Sequence, residues 1–247
     1  MSKSVRIVLC IPGPWDSRAA LAQQIGEQRG TSYDGAALRI SDYSARAELV
    51  EHDAELRDSF ARSSRLLSAD DLEAIARHRS AVYLIGEGGS VDAARSMMGL
   101  AEALLWAGGL AVKVETSGLA HRAKDWLQHA ARRETHIGAL LIAYVALVAG
   151  KTEVYSCGMH NLGFPDAVLS GALAPQHAAQ LLKDFLLHVL HERPALRDGQ
   201  IFSVVGEAER FVLSHEPCRL FASDDLFFNP FGMWRLTLLV PDRSTPI

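Results

Sequence analysis

The sequence predicts an α+β fold: a mixed β-sheet sandwich with helices packed on sheet faces, including one βαβ unit. Three observations lead there. Short β-branched runs alternate with amphipathic stretches along the chain. The passage 81–115 reads as strand, tight turn, helix, double glycine and strand. Late in the chain, short strand-like runs follow one long helix rather than alternating with helices.

The elements follow in order. Val5–Ile11 is short and β-branched, hence a strand. Gly13-Pro14-Trp15-Asp16-Ser17 is a turn that ends in N-cap residues, so Arg18–Gln28 is expected as a helix. Gly35–Ile40 suits a second strand, and the charged stretch Glu48–Ser64 a helix. Ala69-Asp70-Asp71 opens a short helix to about Arg79.

Ala81–Ile85 is a strand, and Gly86-Glu87-Gly88-Gly89-Ser90 turns the chain. From Val91 to Trp106, Ala94, Met97, Met98, Ala101, Leu104 and Leu105 recur at three and four residues, which is helical spacing. Gly108-Gly109 stops that helix before a strand at Leu110–Glu115. The two strands should run parallel in one sheet, joined by a right-handed crossover. A helix is expected over about Ala120–Ala131.

Gly138–Val148 and Thr152–Cys157 read as two strands, the first because of its Ile, Tyr and Val content. Pro175–Glu192 is an amphipathic helix with Ala178, Leu181, Leu182, Phe185, Val189 and Leu190 on one face. Ile201–Val205 and Arg210–Leu213 suggest a hairpin, and Trp234–Val240 a last strand. The 247 residues suit a single α+β domain, or two lobes of about 1–135 and 136–247.

Composition excludes several function classes. The formal net charge is -4 and no basic stripe exists, which argues against nucleic acid as a partner. The longest apolar run, Ile137 to Gly150, is shorter than the roughly 20 residues that span a bilayer. No membrane association is expected. Cys10, Cys157 and Cys218 are odd in number and unpaired in spacing, so free thiols and a cytoplasmic location are expected. No cofactor and no metal site is expected. His177, Asp184, His188 and His191 fall on one side of the late helix, but that side is opposite its apolar stripe and suits a solvated face.

The densest cluster of special residues is Cys157-Gly158-Met159-His160-Asn161-Leu162-Gly163-Phe164-Pro165-Asp166. Its glycines and proline make it a shaped turn that would present Met159, His160 and Asp166. His160 could act as a general base near neutral pH, with Cys157 or Asp166 as partner. The ordinary alternative is a tight crossing, with Asp166 capping the next element and His160 bonded to a backbone carbonyl. Glu115 and His121 flank Gly118 at the end of the most secure strand, where open sheets bind ligands. If the two turns meet, Glu115, His121, His160 and Asp166 would form one polar site.

Gly86–Ser90 lacks the spacing of a nucleotide-binding loop, so a plain turn with Ser90 as N-cap is favoured. Four aromatics between Phe227 and Trp234, broken by Asn229-Pro230, cannot all share one strand face. They suit a core or an interface with another chain.

Three stretches resemble the bacterial domain of unknown function 4261 family. They are the opening strand into Pro12-Gly13-Pro14-Trp15, the passage Ala103-Leu104-Leu105…Gly108–Glu115 with Gly118 and His121, and Tyr155–His160 with Gly163–Asp166. The resemblance implies an α+β fold and brings no catalytic residues to carry over. It also implies a bacterial source, and related domains near toxin–immunity loci suggest an immunity or accessory role. Two function classes follow. One is a non-enzymatic interaction protein, binding another protein or a second copy of itself. The other is a small-molecule enzyme or ligand-binding domain that uses the His160 turn.

Overall fold

The structure, a computed structural model, describes residues 5–26, 30–64, 66–171 and 173–239. The chain is α+β, with two β-sheets and helices packed on sheet faces. It divides into two compact units. The first holds residues 1–146 and 158–164, the second residues 147–157 and 165–247.

The first unit carries a seven-stranded sheet built from β1 (Arg6–Gly13), β2 (Thr31–Tyr33), β3 (Ala37–Ile40), β4 (Tyr43–Glu51), β5 (Ser80–Glu87), β6 (Ala111–Val114) and β7 (Leu119–Arg122). Their order is β2-β3-β4-β5-β1-β6-β7, and every ladder is antiparallel. The expected βαβ unit is present in split form. β5 and β6 both run antiparallel to β1, so they are parallel to each other with β1 inserted between them. Their connection is α4 (Val91–Trp106), with the bounds that its apolar spacing predicts.

Helices cover both faces of this sheet. Met97 of α4 packs over Gly86, where an added Cβ would lie 2.8 Å from its sulfur. On the opposite face, α2 (Leu56–Ser63) and α3 (Ala69–Ala76) bring Leu56, Phe60 and Ile75 onto Cys10, Ala81, Ala111 and Ala120. Ser68 and Asp71 close a capping box at the start of α3. The remaining helices of this unit are α1 (Arg18–Ile25), capped by Ser17, α5 (Ala123–Ala130) and α6 (Ile137–Tyr144).

The second sheet is built from β8 (Ala146–Ala149), whose first residue belongs to the first unit, β9 (Glu153–Cys157), β10 (Asp166–Ser170), β11 (Ile201–Phe202), β12 (Phe211–Glu216) and β13 (Met233–Leu238), ordered β11-β12-β13-β10-β9-β8. This sheet is mixed: β10 and β13 are parallel, whereas β9–β10, β11–β12 and β12–β13 pair antiparallel. α7 (Pro175–Glu192) packs on β9 and β10. Its predicted apolar face is buried, together with Leu186, and Phe185 meets Phe202 edge-on with ring centroids 5.0 Å apart. β11 and β12 form the expected hairpin pairing.

Four expectations are corrected. Residues 48–51, expected as the start of the helix to Ser64, instead end strand β4, in which Ala45 and Ala47 are buried while Ser44 and Arg46 are exposed, a period of two that the charges obscure. Thr31–Tyr33 adds a strand that the sequence reading lacks. Residues 119–122 form β7, so the helix expected from Ala120 starts at Ala123. Of Gly138–Val148, expected as one strand, the part to Tyr144 lies in helix α6, and strand begins at Ala146 in β8. A short run that is apolar all round suits either state, and here burial of Leu140, Leu141 and Tyr144 decides for helix. The expected ends of the first helix at Gln28 and of the last strand at Val240 lie outside the described residues. No helix among the described residues is long and apolar enough to cross a membrane.

Candidate functional site

The His160 turn is a single turn of 3₁₀ helix, Met159–Leu162, bracketed by two left-handed glycines. Gly158 has φ +116° and Gly163 has φ +87°. Neither has room for a side chain. A Cβ on Gly158 would collide with the Tyr144 carbonyl oxygen and lie 2.8 Å from Ser117 Cβ. A Cβ on Gly163 would collide with the Gly89 carbonyl oxygen. The glycines are therefore needed twice, for the torsion and for the close approach.

The turn is buried, which corrects the expectation that it presents Met159 and His160. All four of its residues are buried, and His160 is 3 % exposed. Its polar groups hold neighbouring segments together. Thr116 Oγ1 donates to Asn161 Oδ1 at 2.8 Å. The Gly89 amide donates to the Asn161 carbonyl at 3.2 Å, and the Phe164 amide to the Met159 carbonyl at 3.1 Å. The side-chain amide nitrogen of Asn161 and the hydroxyl of Ser117 are buried without a hydrogen-bond partner among the described residues. The Gly89 contact also fixes the Gly86–Ser90 turn. Ser90 is the N-cap of α4, accepting from the Ala93 amide at 3.1 Å, as the sequence predicts.

Asp166 opens β10 in the second unit and is 3 % exposed. It is not displayed on a turn surface. Its Oδ1 accepts from Ser156 Oγ at 2.8 Å, and its Oδ2 accepts from Asn229 Nδ2 at 2.7 Å. Its amide donates to the Gly232 carbonyl at 3.1 Å. Asn229 Oδ1 in turn accepts from the Phe231 amide at 2.9 Å. Asp166 thus ties the aromatic segment before β13 to the sheet. Within that segment Asn229 is buried, while Leu226 and Phe231 are exposed.

Glu115 and His121 lie on opposite faces of the first sheet. Register decides this. Lys113 pairs with Ala120 and Val112 with His121, so His121 shares the face of Val112. Glu115 is two residues beyond Lys113 and shares that residue's face. The composite site that would unite Glu115 with His121 therefore does not form.

On its own face Glu115 belongs to a polar row. Glu48, Tyr83, Cys10 and Lys113 are successive cross-strand neighbours through β4, β5, β1 and β6. Lys113 Nζ donates to Glu115 Oε2 and to Ser59 Oγ, both at 2.8 Å. A serine beside a lysine can be a nucleophile and its base when the lysine is neutral. Here Lys113 Nζ is also engaged by the Glu115 carboxylate, so the geometry is that of an ion pair bracing Ser59 rather than a free serine–lysine dyad. Burial pushes the Cys10 thiol up to about 12, which keeps it protonated and inert. The i, i+2 spacing of Lys113 and Glu115 could have been read from the sequence. The contact with Ser59 spans 54 residues and could not.

His121 is equally committed. Its Nε2 lies 2.9 Å from the Ala143 carbonyl, and its ring packs against Trp126 at 5.6 Å. Desolvation lowers its pKa to about 4, so it is neutral at physiological pH. Burial likewise raises the Cys157 thiol, with Asp166 the next contributor. All three cysteines are free.

Comparison with known proteins finds no matching family model, no matching curated protein and no matching solved structure.

Proposed function

We propose that this chain is a non-enzymatic interaction protein of the immunity or accessory type, which binds another protein or a second copy of itself. The observation that carries the reading is the burial of the His160 turn between two glycine crossings. A general base needs an approach for substrate, and His160 is enclosed. The other candidates support the same reading. His121 is bonded to a backbone carbonyl, Asp166 accepts two side-chain hydrogen bonds, and Glu115 neutralises Lys113. The buried free thiols Cys10 and Cys157 support a reducing, cytoplasmic setting. The resemblance to domain of unknown function 4261 supports a bacterial source.

The experiment compares wild type with His160→Ala. Melting curves are recorded beside a substrate panel of esters, phosphate esters, amides and nucleotides. The expected result is a lowered melting temperature and no turnover by either protein. Saturable binding or turnover by wild type that falls in His160→Ala, with melting unchanged, would establish the small-molecule reading instead. Light scattering across a concentration series then separates self-association from a foreign partner.

A further inference from the structure

We infer that His177, Glu207 and Glu209 form a binding site for a borderline divalent cation, with Zn²⁺ the best match. The three side chains come from two segments of the second unit. His177 lies in the first turn of α7, and the two glutamates lie in the loop between β11 and β12. One ligand atom from each residue lies within 4.8 Å of the other two. His177 Nε2 is 3.1 Å from Glu209 Oε1, close to the separation of two atoms that share one metal at about 2.0–2.2 Å each.

The local backbone explains the grouping. After the turn at residues 205–206, the chain leads without helix into β12. Residues 207–210 are neither helix nor strand, and they bring one carboxylate oxygen each of Glu207 and Glu209 within 4.8 Å of a His177 ring nitrogen. The charge balance points to a cation rather than to self-sufficiency. Two carboxylates converge on one imidazole, and among the described residues neither forms an ion pair with a lysine or arginine.

One nitrogen and two oxygens select among cations. Imidazole disfavours Ca²⁺ and Mg²⁺, which take all-oxygen shells, and the absence of thiolate disfavours Cu⁺. Three protein ligands leave a fourth position for water or a partner's side chain. A metal-bound imidazole presents its Nε2 lone pair, so a neutral ring carries its proton on Nδ1. The metal would fasten the β11–β12 loop to the start of α7. This is a different arrangement from a ladder along one face of that helix. Asp184 accepts from Gln180 and His188 packs on Phe202, so neither contributes.

The test is calorimetric titration of the chelator-treated full chain with Zn²⁺, followed by visible spectra with Co²⁺. Wild type should take up one equivalent, and Co²⁺ should give the intense bands of a low-symmetry nitrogen–oxygen site. His177→Gln, Glu207→Gln and Glu209→Gln should each weaken binding about tenfold or more. Glu209→Gln is the sharpest variant, because it keeps an acceptor for His177 and removes only the charge. His191→Gln, an exposed change at the far end of α7, should leave affinity unchanged. Circular dichroism confirms that each variant folds. Absence of a stoichiometric Zn²⁺ site in wild type overturns the inference. So does a site that all three variants retain at full affinity.

Discussion

The hydroxyl of Thr116 donates a 2.8 Å hydrogen bond to the side-chain carbonyl of Asn161, joining two segments 45 residues apart in the chain. Both residues are buried. The bond couples the end of β6 to the 3₁₀ turn, and the same turn carries the Gly89 contact that orients the start of α4. The turn is a structural junction of the first unit, and its densest chemistry is directed inward.

Glycine substitutions should be graded by what surrounds each one. Gly35 has φ +90° but open space around it, so Gly35→Ala isolates the torsional cost, about 1 kcal/mol. Gly158→Ala and Gly163→Ala add a collision with a backbone carbonyl and should cost about 3 kcal/mol or more. Urea unfolding of the three variants gives the ranking. Equal losses at all three sites would contradict the crossing geometry.

Ser117→Ala should be neutral or stabilising, by up to about 1 kcal/mol. The Ser117 hydroxyl is buried without a hydrogen-bond partner, so removing it relieves a desolvation cost and breaks no bond. A rise or no change in Tm is expected. A large drop would mean that the hydroxyl is bonded in solution.

Asp166→Ala should destabilise by about 3 kcal/mol, because it strands the buried donors Ser156 and Asn229. Asn229→Ala should cost less overall and act locally. It frees the segment from Leu226 to Trp234 from its tie to β10. Limited proteolysis should then cut between Phe227 and Phe231 faster than in wild type, and unchanged cleavage would refute the tie.

Stability should fall on acidification below the ordinary histidine range, in part through His121. Its folded pKa is depressed by burial to about 4 from the ordinary histidine value of 6.5, so the unfolded chain binds the extra proton first. Its contribution is therefore intact above about pH 6.5 and is lost progressively down to about pH 4, about 3 kcal/mol in all. His78 and His129 are pushed the same way by burial and steepen the wild-type slope. Urea melts at pH 7.5 and pH 5 should show a smaller loss for His121→Gln than for wild type. Equal losses would remove His121 as a contributor.

Much of the fold was legible because local periodicity and caps act over a few residues. The bounds of α4 and α7, the Ser17 and Ser90 caps and the left-handed glycines at 158 and 163 all follow from such short-range rules. Where two periods compete, local rules fail. The all-apolar run 137–144 is held as helix by tertiary contacts: its Leu140, Leu141 and Tyr144 are buried, and Tyr144 donates to the Ala94 carbonyl and meets Trp126 edge-on.

The site residues show the same division. The sequence by itself determined that Gly158 and Gly163 frame a tight turn, since left-handed torsions exclude most other residues. It also determined that Lys113 and Glu115 share a strand face. Only the tertiary structure decided where that chemistry points. Burial turned His160 inward, sheet register put Glu115 and His121 on opposite faces, and pairing across distant segments brought Ser59 to Lys113 and Glu209 to His177. The reason is physical. Torsional preference is a property of a residue and its neighbours, whereas burial, register and side-chain partnership depend on segments that meet only when the chain is folded.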